Sequence, residues 1–209
     1  MLWTTPDIEG SYEITVTVDD RKGGVATKTK SFKIYTLFEI SILRIESEGG
    51  FIELDVRTYP GGFFYAGDSD NNKPCKSFIS FDIPTLRDID IESAMLRMNV
   101  HQILGDPLIF VNELSLNIIE WGNREIEEND FWIIGEHVDN YNYPNIILNF
   151  EGIDTSGIEA LLQQAVDAKK SRFQMSIHFT GNPSDNDGVW DGWKYLQSNI
   201  NLSIKYINK

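Results

Sequence analysis

Apolar and polar side chains alternate strictly in several stretches of the chain, which is the period of a strand with one buried face. Tyr12, Ile14, Val16 and Val18 fall on one side, with Glu13, Thr15 and Thr17 on the other. Ala94, Leu96, Met98 and Val100 oppose Ser93, Arg97, Asn99 and His101, with Met95 out of step. Leu114, Leu116 and Ile118 form a further row. Phe173, Met175, Ile177 and Phe179 alternate with Arg172, Gln174, Ser176 and His178, and Ile200, Leu202, Ile204 and Tyr206 with Asn199, Asn201, Ser203 and Lys205. Gly, Asn, Asp and Pro turn signals bound further strands predicted over 24–34, 40–46, 51–57, 76–83 and 145–150. One segment departs from this period: Ile158, Leu161, Leu162, Ala165 and Val166 recur at helical spacing, and Ser156 with Glu159 reads as a capping box. A short helix is therefore expected over about 156–169, its closing Lys169-Lys170 suited to the negative end of the helix dipole. Many half-buried strands and one helix predict an all-β fold, an antiparallel β-sandwich or jelly roll, because such faces are buried sheet against sheet.

Residues 1–36 stand apart as one predicted hairpin with a polar tip at Gly23-Gly24, ahead of a larger domain over 37–209. A lone hairpin is marginal in water. It is expected to dock on the larger domain, pair with another chain or be partly mobile. Met1 directly precedes a segment that reads as the middle of a domain, so the chain is expected to be an excerpt of a longer protein whose signal peptide would lie outside it. No stretch approaches the roughly 18 apolar residues of a membrane helix, so membrane insertion is not expected.

Composition narrows the function classes. With 209 residues, 41% hydrophobic and 24% charged, the chain belongs among globular proteins and needs no staple for its core. Its single cysteine, Cys75, allows no internal disulfide. Eighteen basic against 32 acidic residues give a net charge of −14, which repels the phosphates that dominate nucleic-acid affinity.

The first segment resembles the last two strands of an immunoglobulin-like or PKD-like domain at Trp3, Pro6, Gly10, Tyr12, Asp19, Gly23 and Gly24. From about Leu37 onward, Tyr65-Ala66-Gly67-Asp68-Ser69, the run Lys76 to Ile83, Ile91-Glu92-Ser93-Ala94-Met95-Leu96, the helix, the strand from Arg172 to Phe179 and the closing Leu202 to Tyr206 resemble a DNRLRE-type domain. That jelly-roll family is treated as a carbohydrate-binding module of multi-domain surface proteins. The resemblance implies a non-catalytic module of an extracellular or cell-surface protein, with a polysaccharide or cell-surface glycan as partner. Its motifs are structural, so fold carries over more firmly than function.

Two constellations could carry chemistry. Sugar rings stack their C–H faces on flat, partly exposed aromatic rings, and Trp132, Tyr141 and Tyr143 are expected in a loop, with Trp190, Trp193 and Tyr195 flanking an acidic turn. Trp132, Tyr141, Tyr143, Trp190 and Trp193 are the candidate ligand-binding residues, against the competing reading that they cover core edges. Phe63, Phe64 and Tyr65 are assigned to packing. Asp185, Asn186, Asp187, Gly188 and Asp191 crowd one loop with hard oxygen ligands of the kind Ca²⁺ takes, which makes Asp185, Asp187 and Asp191 the candidate metal ligands. Asp68, Asp70 and Asn71 form a second acidic candidate. EF-hand spacing fails, because setting Gly188 at the sixth loop position puts Pro183 first and Lys194 twelfth. Asp and Asn also build turns through their own side-chain bonds, and ordinary turn chemistry is the reading weighed ahead of metal for such a loop.

Other chemistry finds less support. One cysteine and three scattered histidines make no zinc cluster. There is no Gly-x-Ser-x-Gly elbow and no His-Glu-x-x-His. His101 and His178 fall on polar rows and His137 in a loop, so all three are expected in solvent. Acidic pairs such as Glu127-Glu128 or Asp88 and Asp90 arise by chance among 32 acids. The expectation is thus a carbohydrate-binding module with a Ca²⁺ site and no enzymatic activity. The alternative is a structural or adhesive β-sandwich unit of a surface stalk or filament, joined to neighbouring surface domains by strand pairing.

Overall fold

The computed structural model describes residues 8–98, 100–107, 113–142, 156–181, 184–196 and 200–209. The predicted strand over 145–150, Tyr143 and the segment before Ile8 lie outside these residues. The chain divides into two units, Met1–Phe38 and Glu39–Lys209.

In the first unit, β1 (Gly10–Asp19) and β2 (Val25–Ile34) pair in unbroken antiparallel register from Gly10↔Ile34 to Asp19↔Val25. The tip forms because Asp20 Oδ1 accepts the N–H groups of Lys22 and Gly24 at 2.7 and 2.9 Å, while Arg21 and Gly23 take left-handed conformations. One face carries Thr15 against Thr29 and Thr17 against Thr27, linked through their hydroxyls. The other carries Ile14, Val16 and Val18, the last two more than half exposed.

The second unit is an all-β sandwich. Its strands are β3 (Phe38–Leu43), β4 (Gly50–Glu53), β5 (Arg57–Pro60), β6 (Phe63–Asp68), β7 (Pro74–Asp82), β8 (Ile89–Arg97), β9 (Val100–Leu104), β10 (Glu113–Ile118), β11 (Glu136–Asn142), β12 (Arg172–Phe179), β13 (Asp191–Leu196) and β14 (Asn201–Asn208), with one helix, α1 (Ser156–Asp167). Among the described residues, one sheet runs β11-β10-β12-β7-β6-β13-β9, with β4 added against β7 and β5 against β4. A second sheet runs β3-β14-β8. Both sheets are built of antiparallel pairings, β10 with β11 and β12, β12 with β7, β6 with β7 and β13, β13 with β9, β4 with β5 and β7, and β14 with β8.

The predicted rows meet in one core. Leu114 and Leu116 of β10, Phe173, Met175, Ile177 and Phe179 of β12, and Ile79 and Phe81 of β7 face Ala94, Leu96, Leu202 and Ile204 of the second sheet. Each of these Leu, Ile, Phe and Met side chains, once buried, contributes about 1.5–3 kcal/mol. Helix α1 adds Ile158, Leu162, Ala165 and Val166. It also covers the edge of β8, because Gln163 accepts the Ile91 N–H at 2.7 Å and donates to the Ile89 carbonyl at 3.2 Å, pairing an edge that would otherwise stay open. The helix stops where Lys169 turns left-handed and the Lys170 N–H reaches back to the Ala165 carbonyl at 3.0 Å.

The polar rows of β7 and β12 are also buried over most of their length, Asp82 at the end of β7 being exposed, contrary to the solvated faces expected from alternation. Two small clusters cover them and the neighbouring strands: Ile52, Phe78, Ile119, Trp121 and Ile126, and beside these Phe51, Tyr65 and Cys75. Beneath, Ser80 donates to Glu48 at 2.7 Å and Gln174 donates to the Gly122 carbonyl at 2.9 Å. Arg172 grips Glu48 through Nε and Nη2, both at 2.8 Å, and reaches Asp82 at 2.7 Å. Burial alone would raise the Glu48 carboxyl, but the hydrogen bonds from Arg172 and Ser80 and the Arg172 charge together hold it below the ordinary carboxylate range. Arg172→Met leaves this nearly enclosed carboxylate unpaired and is expected to lower stability by about 3 kcal/mol. Arg172→Met combined with Glu48→Gln should recover much of that loss, as read from urea midpoints.

Candidate functional site: an open groove and an acidic loop

Trp132 stands at the end of a 3₁₀ turn, Glu128–Trp132. The turn is rigid for reasons local to it. Glu127 and Asp130 cap each other reciprocally, and Arg124 holds the nearly enclosed Asp130 bidentately at 2.8 and 2.7 Å. From the sheet below, the Lys76 ammonium donates to the Phe131 and Ile133 carbonyls at 3.2 and 3.1 Å. On this base the Trp132 ring is 64% exposed and packs edge-on against Phe131, centroids 5.4 Å apart. Glu127 therefore serves as a cap, and Asp90, of the other acidic pair, bonds Lys209.

Beside the ring lies a groove of about 300 Å³ bordered by Lys76, Asn117, His178 and the exposed Ile134. Its floor is the outer polar row of β10, β12 and β7, where the 119–133 segment stops short. Asn117 donates to Ser115 at 3.2 Å, and the Ser115 hydroxyl lies 3.3 Å from His137 Nδ1. Burial draws the Lys76 ammonium down to about 8, against the opposing pull of Asp130. His178 departs from the solvated state expected of it: it is half-buried, its Nδ1 has no hydrogen-bond partner, and burial, then the charges of Lys76 and His137, draw it down to about 4.

The remaining candidate aromatics divide. Trp193 is not a loop residue but the third residue of β13, 2% exposed and edge-on to Phe179 at 5.0 Å; it is core. Trp190 is half-buried, edge-on to Tyr65 at 5.1 Å and to Phe51 at 6.4 Å, so it also packs. Tyr195 is fully buried. Tyr141 lies on β11 opposite Leu114, and Tyr143 lies outside the described residues. Of the five, the described geometry presents Trp132 as an open face. Sequence reasoning did not single out Asn117 or treat His178 as part of a site, since alternation alone marks both only as outward.

Asp68, of the second acidic candidate, meets the first, while Asn71 turns to Glu53. Asp68, the last residue of β6, pairs in register with Asp191, the first of β13. Asp185, Asp187 and Asp191 each bring a carboxylate oxygen within 4.8 Å of the others. The loop is built by Asx turns, with Asp185 Oδ1 accepting the Asp187 N–H at 3.1 Å and Asp187 Oδ1 the Val189 N–H at 2.8 Å. It is tied to the 69–73 turn through Asn72, which accepts the Gly188 N–H at 2.9 Å. Close approach here requires glycine. Gly105 has φ +56, and a Cβ on it would lie 1.9 Å from Asp191 Oδ1, the atom that accepts the Asp106 N–H. Burial pushes the Asp68 carboxyl up to about 7; the nearby Ser184 hydroxyl opposes this, and the charges of Asp191 and Asp185 add to it.

No protein-family model matches the chain, and no curated protein matches it in sequence. Among the described residues no helix is long and apolar enough to cross a membrane.

His178 gives a pH test. Its native value lies below the ordinary 6.5, so the unfolded chain binds the proton more readily. The stabilisation is complete above pH 6.5 and is lost as pH falls toward 4. Unfolding free energy is expected to fall between pH 7 and 5 with a slope approaching about 1.4 kcal/mol per pH unit. His178→Gln should flatten that slope in urea titrations.

Proposed function

We propose that the chain is a non-catalytic module that binds carbohydrate in the Trp132 groove, within an extracellular or cell-surface protein. The observation that carries this reading is the exposed Trp132 ring on a turn fixed by Asp130, Arg124 and Lys76. A ring held in place loses little freedom on binding. A sugar stacked on it would set its hydroxyls against Asn117 and His178, which offer an amide and a neutral imidazole. The resemblance to DNRLRE-type domains supports both the ligand class and the surface location. The acidic charge supports a partner that is neither nucleic acid nor anionic membrane.

Affinity electrophoresis against a panel of neutral and acidic polysaccharides should find at least one that retards the chain. Trp132→Ala should weaken that binding roughly tenfold or more while leaving the melting temperature within a degree or two of the parent. Equal retardation of both proteins would overturn the assignment of the groove.

A specific observation favours a second reading, a structural or adhesive unit: the β1–β2 hairpin leaves the apolar face of Ile14, Val16 and Val18 open. Exposed apolar strands of this kind invite a further layer. On that reading the chain self-associates with rising concentration in analytical ultracentrifugation, and Val16→Lys abolishes the association.

A further inference from the structure

An acidic loop on a protein of net charge −14 is ordinary, and Asx turns explain how this one is folded. They do not explain Asp68. That residue is 0% exposed, and neither carboxylate oxygen has a neighbour in hydrogen-bond geometry. It faces Asp191 across the β6–β13 ladder and lies close enough to Asp191 and Asp185 for their charges to act on it. Asp191 is itself 3% exposed, and its Oδ2 is likewise without a partner. No ion pair formed by the described residues includes Asp68, Asp185, Asp187 or Asp191. The nearest donors, the Ser184 hydroxyl and the Asp191 N–H, pull against the effect of burial but do not reach hydrogen-bond geometry, and a buried carboxylate left in that state without a cation is strongly disfavoured.

We propose that Asp68, Asp185, Asp187 and Asp191 together hold one calcium ion at the junction of β6, β13 and the 184–190 loop. Asp185, Asp187 and Asp191 each turn Oδ1 to a backbone N–H, from Asp187, Val189 and Asp106 respectively, and keep Oδ2 for the metal. All ligands are hard oxygens, as calcium requires. Carboxylate oxygens within 4.8 Å of one another can share one ion, and a set of protein carboxylates suits calcium, whereas magnesium keeps several waters and takes one or two carboxylates. The ion supplies the positive charge that the buried pair lacks and ties the loop to the sheet. The assignment does not depend on the carbohydrate reading.

The test compares the full chain in chelator and in calcium, by thermal unfolding and by terbium emission sensitised through Trp190, which adjoins Asp191. Calcium at a hundredfold its Kd is expected to raise the melting temperature by about 5 °C or more, and terbium emission to appear and be displaced by calcium. Asp68→Asn removes the buried charge, so in chelator it should melt no lower than the parent, with the calcium shift gone. Asp187→Asn alters an exposed side chain and should leave the chelator melting point unchanged while raising the calcium half-point tenfold or more. Should Asp68→Asn fail to fold, Asp187→Asn decides. Identical melting in calcium and chelator without terbium emission overturns the site. An unchanged half-point in Asp187→Asn overturns it too, and an equal shift from magnesium overturns the choice of ion.

Discussion

Burial of both faces of the β7–β12 pair is the constraint from which the rest of the second unit follows. The inner face, with Phe81, Ile79, Phe173, Met175 and Ile177, closes against the β3-β14-β8 sheet and helix α1. The outer face is polar, and a buried polar face is tolerated only when each group is bonded. Ser80, Gln174, Glu48 and Arg172 meet that demand in one connected network, while Ser176 Oγ and His178 Nδ1, further along the same row, stay without a hydrogen-bond partner. The segments that supply the cover, 44–60 and 119–133, are thereby fixed on the sheet and bring the groove with them.

The groove exists because this cover is incomplete. Trp121 seals Phe78 edge-on at 5.6 Å, but the segment then rises into the turn that presents Trp132, leaving Asn117 and His178 at the rim. Lys76 links the two regions. Its ammonium is spent on the Phe131 and Ile133 carbonyls, so the strand that builds the core also sets the height of the ring. The exposed ring is thus held from the core sheet itself.

At the β6–β13 end the logic is reversed. There the sheet brings carboxylates together with no ion pair to a base among the described residues, and glycine at 67 and 105 removes the side chains that would hold them apart. Sequence spacing had placed Asp68 and Asp185–Asp191 in separate loops. The ladder joining β6 to β13 makes them a single acidic centre.

What the chain alone determined was local. Alternation identified the strands whose inner rows form the core, the 3.6-residue period located α1, and the Asp and Gly signals placed the hairpin tip. Four strands left no such mark. β6 and β13 are buried on both faces, so their residues do not alternate, and β5 and β11 are short or polar; the row from Ser93 to His101, which alternates as one strand, is divided between β8 and β9 in different sheets. Trp132 and Trp193 looked equivalent because each sits among polar and turn residues. Which one became a platform and which became core was decided by what lies opposite, Phe179 for Trp193 and solvent for Trp132. The same holds for His178 and Asp68. A period of two tells which side chains share a face, whereas what covers that face comes from segments far away in the chain, and only the tertiary structure brings those together.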